Sequence, residues 1–326
     1  MQAIVIKRYG GPEVLAIEER PIPLADEGQV LIRVKAFGVN RAEIHFRQGS
    51  WGDVAEISGI ECAGVVAADA SGRLARGQKV LAIVGGMGRS LNGSYAEYVA
   101  VPSANVAAVD TDLAWEDLAA LPESYATAWT ALVGILGLTH EQTLLVRGAT
   151  SALGQAAVNI AAQIGAHVIA TTRNVERTGS LEAVGAKTVM IEGPDLRARV
   201  RERHPDGICA VLDLVGSTTV LDSMAMLRRG GHVCLAGFLG SGGPLQQFEP
   251  VFQMPSGRHL SVFASALVTG SREFPLSEIP FQDIVDRAAR GFYKARPARV
   301  FRFDQIRDAH CLVESGQANG KVVVVV

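Results

Sequence analysis

Residues Thr143 to Arg173 read TLLVRGATSALGQAAVNIAAQIGAHVIATTR, and the rest of the chain is organised around them. Thr143–Val146 is a short apolar, β-favouring run and predicts a buried strand. Arg147–Gly154 is a tight turn rich in Gly, Ala and Ser. From Ala152 to Ile164 apolar residues recur at helical spacing, and Gly165 supplies a C-terminal stop. His167–Ala170 is a second apolar strand. Together they form one βαβ unit of about 30 residues. The turn is where chemistry enters. A helix N-terminus presents unpaired N–H groups and a partial positive charge, and small residues let a diphosphate approach the backbone. Gly148 and Gly154, with Thr150, Ser151, Ala152 and Leu153 between them, fit such a loop. The pattern is G-x-x-S-x-x-G rather than the common G-x-G-x-x-G. On these residues alone an ordinary strand–helix turn also stays open.

The 326 residues are enough for two domains and a large core. Lys and Arg total 31 against 33 Asp and Glu, a balance that argues against nucleic acid as a partner. Cys62, Cys209, Cys234 and Cys311 are scattered, with no C-x-x-C or Cys/His cluster, so neither a zinc lobe nor a disulfide framework is expected. Met1–Ile4 opens directly into a strand-like run, so no signal peptide is expected. The longest apolar helix candidate, Thr127–Leu138, is too short to span a bilayer. The expectation is a cytoplasmic protein without membrane partners.

Residues 1–122 read as β-rich, with short runs at 3–6, 29–37, 63–67, 79–84 and 96–101 between Gly, Pro, Asn and Asp turns. Asn40–Arg47 suits a short helix. From Thr143 strands (143–147, 167–172, 188–191, 208–214, 232–236, 260–264) alternate with helices (152–164, 175–184, 195–203, 218–228). That rhythm predicts a six-stranded, doubly wound parallel sheet, an α/β fold. After residue 265 it stops. Helices near 281–290 and 303–315 precede Lys321–Val326, which reads as an edge strand of the β-rich domain rather than a tail. The expected layout is a discontinuous catalytic domain, 1–122 with 266–326, and an inserted dinucleotide domain, 123–265. The cleft between them is the default ligand site.

Nine pieces, in order and spacing, carry a resemblance that runs nearly end to end: VLIRVKAFGVNRAEIHFRQG (30–49), SGIECAGVV (58–66), GSYAEYVAVP (93–102), LPESYATAWTAL (121–132), LLVRGATSALGQAAVNIA (144–161), GAHVIATTR (165–173), VLDLVGS (211–217), LRRGGHVCLAGF (227–238) and NGKVVVV (319–325). The chain resembles the zinc-independent quinone oxidoreductases of the medium-chain dehydrogenase/reductase superfamily. The resemblance implies a partly open, GroES-like β-barrel catalytic domain plus a Rossmann domain, usually in a homodimer. Zinc members of the superfamily place Cys and His where this chain has Asn40 and Ile60. Neither side chain replaces a thiolate or imidazole, so no metal is expected. Without a Lewis acid, hydride transfer favours a quinone or enone, whose anion is delocalised, over a simple ketone.

Past the second strand, NAD enzymes usually carry an acidic residue for the ribose 2′-OH. Here Thr172 is followed by Arg173 and Asn174, with Arg177 one turn on, which suits a 2′-phosphate and predicts NADPH. Glu192, where relatives often have Tyr, stands against it, because a carboxylate there repels a 2′-phosphate. By resemblance, Asn40 orients the nicotinamide ribose or the acceptor oxygen, and His45 and Trp51 line the acceptor pocket. Arg41, Glu43 and Arg47 of the same segment read as a solvated face. Tyr125 and Thr127 match a Y-x-T-A motif beneath the nicotinamide. Gly216, Gly237 and Phe238 fall on turns at the strand ends, where ligands gather. Asn319 and Lys321 resemble a closing N-G-K that approaches the cofactor. The loop 240–255, with Phe248, is expected to cap the pocket or make dimer contacts. An enoyl-thioester reductase, or a cofactor-binding sensor with vestigial activity, are the alternative functions.

Overall fold

The computed structural model describes residues 1–240 and 243–326; positions 241 and 242, in the loop expected to cap the pocket, lie outside the described residues. The chain divides into two compact units, Met1–Ala126 with Ser265–Val326, and Thr127–Ala264. In chain order the strands are β1 (Gln2–Ile6), β2 (Leu15–Glu19), β3 (Gln29–Val39), β4 (Glu61–Asp69), β5 (Lys79–Ile83), β6 (Tyr98–Pro102), β7 (Val106–Ala108), β8 (Thr143–Arg147), β9 (His167–Thr172), β10 (Thr188–Ile191), β11 (Ile208–Asp213), β12 (Leu227–Leu235), β13 (His259–Val262), β14 (Arg299–Arg302) and β15 (Val322–Val325). The helices that matter below are α1 (Arg41–Gln48), α2 (Pro122–Trp129), α3 (Ala152–Ile164), α4 (Thr178–Ala183), α5 (Leu196–Arg203), α6 (Val220–Met226), α7 (Phe281–Ala289) and α8 (Ile306–Glu314).

Among the described residues, the central unit is a six-stranded sheet in the order β10-β9-β8-β11-β12-β13. Every pairing in it is parallel. This is the doubly wound arrangement the alternating pattern predicts, with the strand order reversing beside β8. The strands are apolar because helices cover both faces: Leu144, Leu145 and Val146 are fully buried. Helix α3 begins where Ser151 caps it and ends at Gly165, which takes φ +86°. Leu145, Val211, Val233, Val200 and Met224 share one core cluster of this unit.

The terminal unit holds a seven-stranded sheet, β14-β15-β3-β4-β5-β7, with β6 also on β3. Strands β1 and β2 pair antiparallel. The closing valines are not an edge. β15 lies between β14 and β3, antiparallel to β3 with Val324 opposite Phe37. Its neighbour β14 is the edge, and the sequence reading missed it. Its residues are largely exposed and include Arg at both ends, so it carries no apolar alternation. The core joins both ends of the chain: Ile32, Phe37, Tyr95, Ile306 and Val324 belong to one cluster.

Candidate active site

In the central unit the turn after β8 is built for close approach. Gly148 takes φ +83°, a conformation open to glycine. Its amide donates to Thr171 Oγ1 at 3.3 Å. Ser151 Oγ donates to the Gly148 carbonyl at 2.9 Å and accepts the Gly154 amide at 3.0 Å. A Cβ on Gly154 would stand 2.6 Å from Ala149 Cα and 2.6 Å from the Gly148 carbonyl oxygen. Only glycine lets the helix start so close to the turn. An α-helix offers no internal acceptor to the amides of Ala152 and Leu153, which suits an anionic ligand. Thr150 turns its carbonyl to Gln155 Nε2 at 3.3 Å.

Along the same rim, Thr172 Oγ1 spans the turn, donating to the Asn174 carbonyl and accepting its amide, both at 3.1 Å. Asn174 Oδ1 accepts the Glu176 amide at 2.9 Å. Both polar side chains therefore shape the turn, while Arg173 is exposed and Arg177 half-buried. Gly216 takes φ +117°, and its amide donates to Asp213 Oδ1 at 3.1 Å. Gly237 packs so closely on Leu214 that a Cβ would lie 2.5 Å from the Leu214 carbonyl oxygen. Phe238 and Phe248 are both exposed, and Thr127 is fully buried. Glu192 does not stand free beside the turn. Arg147 grips its carboxylate, donating from Nε to both oxygens at 3.1 Å.

In the terminal unit Asn40 heads α1, where β3 ends. Its amide is already committed. Nδ2 donates to Glu61 Oε1 at 2.8 Å and to Glu43 Oε1 at 3.3 Å, and Oδ1 accepts from Lys321 Nζ at 2.6 Å. Its donors thus face carboxylates of its own unit. Lys321 is also turned inward. It is buried, and its ammonium pairs with the fully buried Glu61, whose other oxygen accepts the Glu123 amide at 2.7 Å. A Cβ on Gly38 would run into Glu61 and Lys321, so glycine makes room for the pair.

Glu43 and Arg47 do not form a solvated face. Both are fully buried. Arg47 reaches Gly10 O at 3.0 Å and Glu314 Oε2 at 2.6 Å. Glu43 accepts the amides of Asn40 at 2.8 Å and Ile60 at 3.1 Å. Burial pushes its carboxyl up from 4.5 to about 7, against the opposing pull of Lys321. The charges sit inside because their partners come from distant sequence. The signal available was a Lys directly before a run of five valines.

His45 and Trp51 stack with ring centroids 5.4 Å apart and planes 7° apart. Burial, then the charge of Arg41, holds His45 below its ordinary pKa, so the ring is neutral at pH 7. Its Nε2 is buried without a partner among the described residues. Tyr125 is buried with its ring 5.1 Å from that of Tyr293. Asn319 takes φ +51° before Gly320.

Among the described residues no group of three or more His, Cys, Asp or Glu could hold a metal ion. The donor set does not fit zinc in any case, because Asn40 and Ile60 offer no ligand and Glu61 is taken by an ammonium. No helix is long and apolar enough to cross a membrane among the described residues.

Two family models match, an alcohol dehydrogenase GroES-like domain over residues 26–111 and a zinc-binding dehydrogenase over residues 152–281. A quinone oxidoreductase of Sus scrofa is 26% identical over 340 residues, covering 99% of this chain and 97% of its own. A mycobacterial protein solved in complex with NADPH is 26% identical, with TM-score 0.86 and full coverage of both chains. A solved NAD-dependent alcohol dehydrogenase is 27% identical, with TM-score 0.82 and full coverage of both chains.

Proposed function

Since the chain belongs to the quinone oxidoreductase family of the medium-chain dehydrogenase/reductase superfamily, a family of oxidoreductases, we propose that it uses NADPH to reduce a quinone or α,β-unsaturated carbonyl without a metal ion. Relatives of similar identity are described with NADPH and with NAD, so likeness alone does not choose the cofactor. Arg173 and Arg177 support NADPH, as the cations that follow β9. In this reading the first-turn amides of α3 hold the diphosphate, with Ser151 fixing the turn. The nicotinamide, once bound, supplies the hydride.

The observation that carries the acceptor class is the Lys321–Glu61–Asn40 cluster, in which Asn40 holds a position that the resemblance gives to a zinc ligand. No group there can act as a Lewis acid on an alkoxide. A quinone or enone needs less, because its charge spreads over a conjugated system that a few hydrogen-bond donors stabilise. His45 supports this reading as such a donor, with a buried, unpartnered Nε2 beside the flat face of Trp51. Solvent delivers the remaining proton. We also propose a homodimer. Among the described residues β13 ends the six-stranded sheet with an open edge that a second copy can extend.

The test is kcat/KM for NADPH and NADH with a naphthoquinone, a 2-enal, an enoyl-CoA and a simple ketone, on protein assayed for zinc. NADPH-dependent reduction of the quinone or enal by metal-free protein is expected. NADH preference, or ketone reduction that tracks zinc content, refutes it.

A further inference from the structure

Arg147 ends β8, immediately before the phosphate turn, yet its side chain reaches across to β10. Glu192 directly follows β10, and its amide donates to the Thr172 carbonyl at 2.8 Å. The Glu192 backbone is therefore bonded to the residue just before Arg173. A carboxylate beside that turn is what favours a ribose with two free hydroxyls and repels a 2′-phosphate. We propose that Arg147 sets the cofactor preference by cancelling the Glu192 carboxylate; this rests on the NADPH reading above.

The geometry makes the cancellation permanent rather than incidental. Arg147 is 4% exposed, and its Nε and Nη2 both engage Glu192. Its Nη1 donates to Thr219 O at 3.2 Å, Asp222 Oδ2 at 3.0 Å and Ser223 Oγ at 3.1 Å. Ser223 in turn donates to Asp213 Oδ2 at 2.6 Å, and Asp213 Oδ1 accepts the amides of Val215 and Gly216. The guanidinium is thus held from two sides, as only a planar fork allows, and cannot swing off Glu192. Arg147 acts through Glu192, so it is a positioning residue. With it removed, Glu192 is a free carboxylate next to Arg173 and the selector reverses.

The experiment is fluorescence titration of full-length wild type, R147Q, E192Q and the double variant with NADPH and NADH, with thermal melts alongside. R147Q is expected to lower the NADPH:NADH affinity ratio at least about tenfold, equivalent to about 1.4 kcal/mol. E192Q, which removes one of the two carboxylates that share Arg147, is expected to raise the ratio at least about threefold, and the double variant to return within about threefold of wild type. A purely structural clamp would lower the melting temperature and weaken both cofactors equally. That result, or an unchanged ratio in R147Q, overturns the proposal. Should R147Q not fold, E192Q decides, and a ratio unchanged or lowered there overturns it. Wild type that binds neither cofactor, or prefers NADH, refutes the proposed function and this inference together. Wild type that prefers NADPH with a ratio indifferent to both residues refutes the inference alone.

Discussion

Glu43 makes the stability of the terminal unit depend on pH in a direction unusual for a carboxylate. Most carboxylates in folded proteins are held low by partners and stabilise the fold as pH rises. Glu43 is fully buried, and although two amides and Lys321 favour its ionised form, burial dominates and raises it from 4.5 to about 7. A raised folded-state value means the native protein binds the proton more tightly than the unfolded chain. The contribution is complete below 4.5 and is lost as pH climbs through about 7. Each factor of ten in proton affinity is worth about 1.36 kcal/mol, so the full span is about 3 kcal/mol, of which about 2.5 kcal/mol falls between pH 5 and pH 8.

The perturbation that isolates this is Glu43→Gln, which cannot ionise. Its amide places an N–H toward one of the two backbone donors, an offset of about 1–3 kcal/mol that is the same at every pH. The assay is urea unfolding of both proteins at pH 5, 6, 7 and 8, read as the difference in unfolding free energy. Wild type is expected to lose about 2.5 kcal/mol relative to the variant from pH 5 to pH 8, and the curve to flatten above 7. Parallel profiles, or a difference that grows in favour of wild type as pH rises, refute the argument, because Glu43 would then be ionised throughout.

Gly154→Ala puts a Cβ 2.6 Å from the backbone of Gly148 and Ala149, so α3 must back away from the turn. The expected cost is about 1–3 kcal/mol in urea unfolding, with NADPH titration showing affinity down at least about tenfold. Lys321→Met strands Glu61 in the core without its cation and is expected to cost about 3–5 kcal/mol, read by urea unfolding; a loss under about 1 kcal/mol would show that the pair is solvated. Trp51→Ala, which removes the ring stacked on His45, is expected to raise KM for a naphthoquinone while leaving NADPH affinity unchanged in a fluorescence titration.

Local signals were legible because local physics sets them. The inner strands β8, β9 and β11 are buried along nearly their whole length, and α3 carries its own start and stop in Ser151 and Gly165. Strand β14 gave no signal, since its pairing with β15 is made by the backbone while three of its four residues are exposed. Charged side chains were misread for a related reason. Arg41, Glu43 and Arg47 look like a polar helix face until distant partners arrive: Glu314 is 267 residues from Arg47, and Arg41 donates to the Glu314 carbonyl. No periodicity encodes such a pairing.

The two polar clusters nonetheless share one readable mark. In each, a basic residue abuts an apolar strand: Lys321 before the buried Val322–Val324, Arg147 after the buried Leu144–Val146. A long cation at the mouth of a buried strand has little water to reach, so it must meet a carboxylate from another element. The partner is Glu61 in one unit and Glu192 in the other. The sequence reading treated Glu192 by itself, as a repulsive charge. Pairing sets a cation directly against each carboxylate. The same step that occupies Glu61 occupies Glu192, so the proposed metal-free chemistry and the proposed NADPH preference rest on one device used twice.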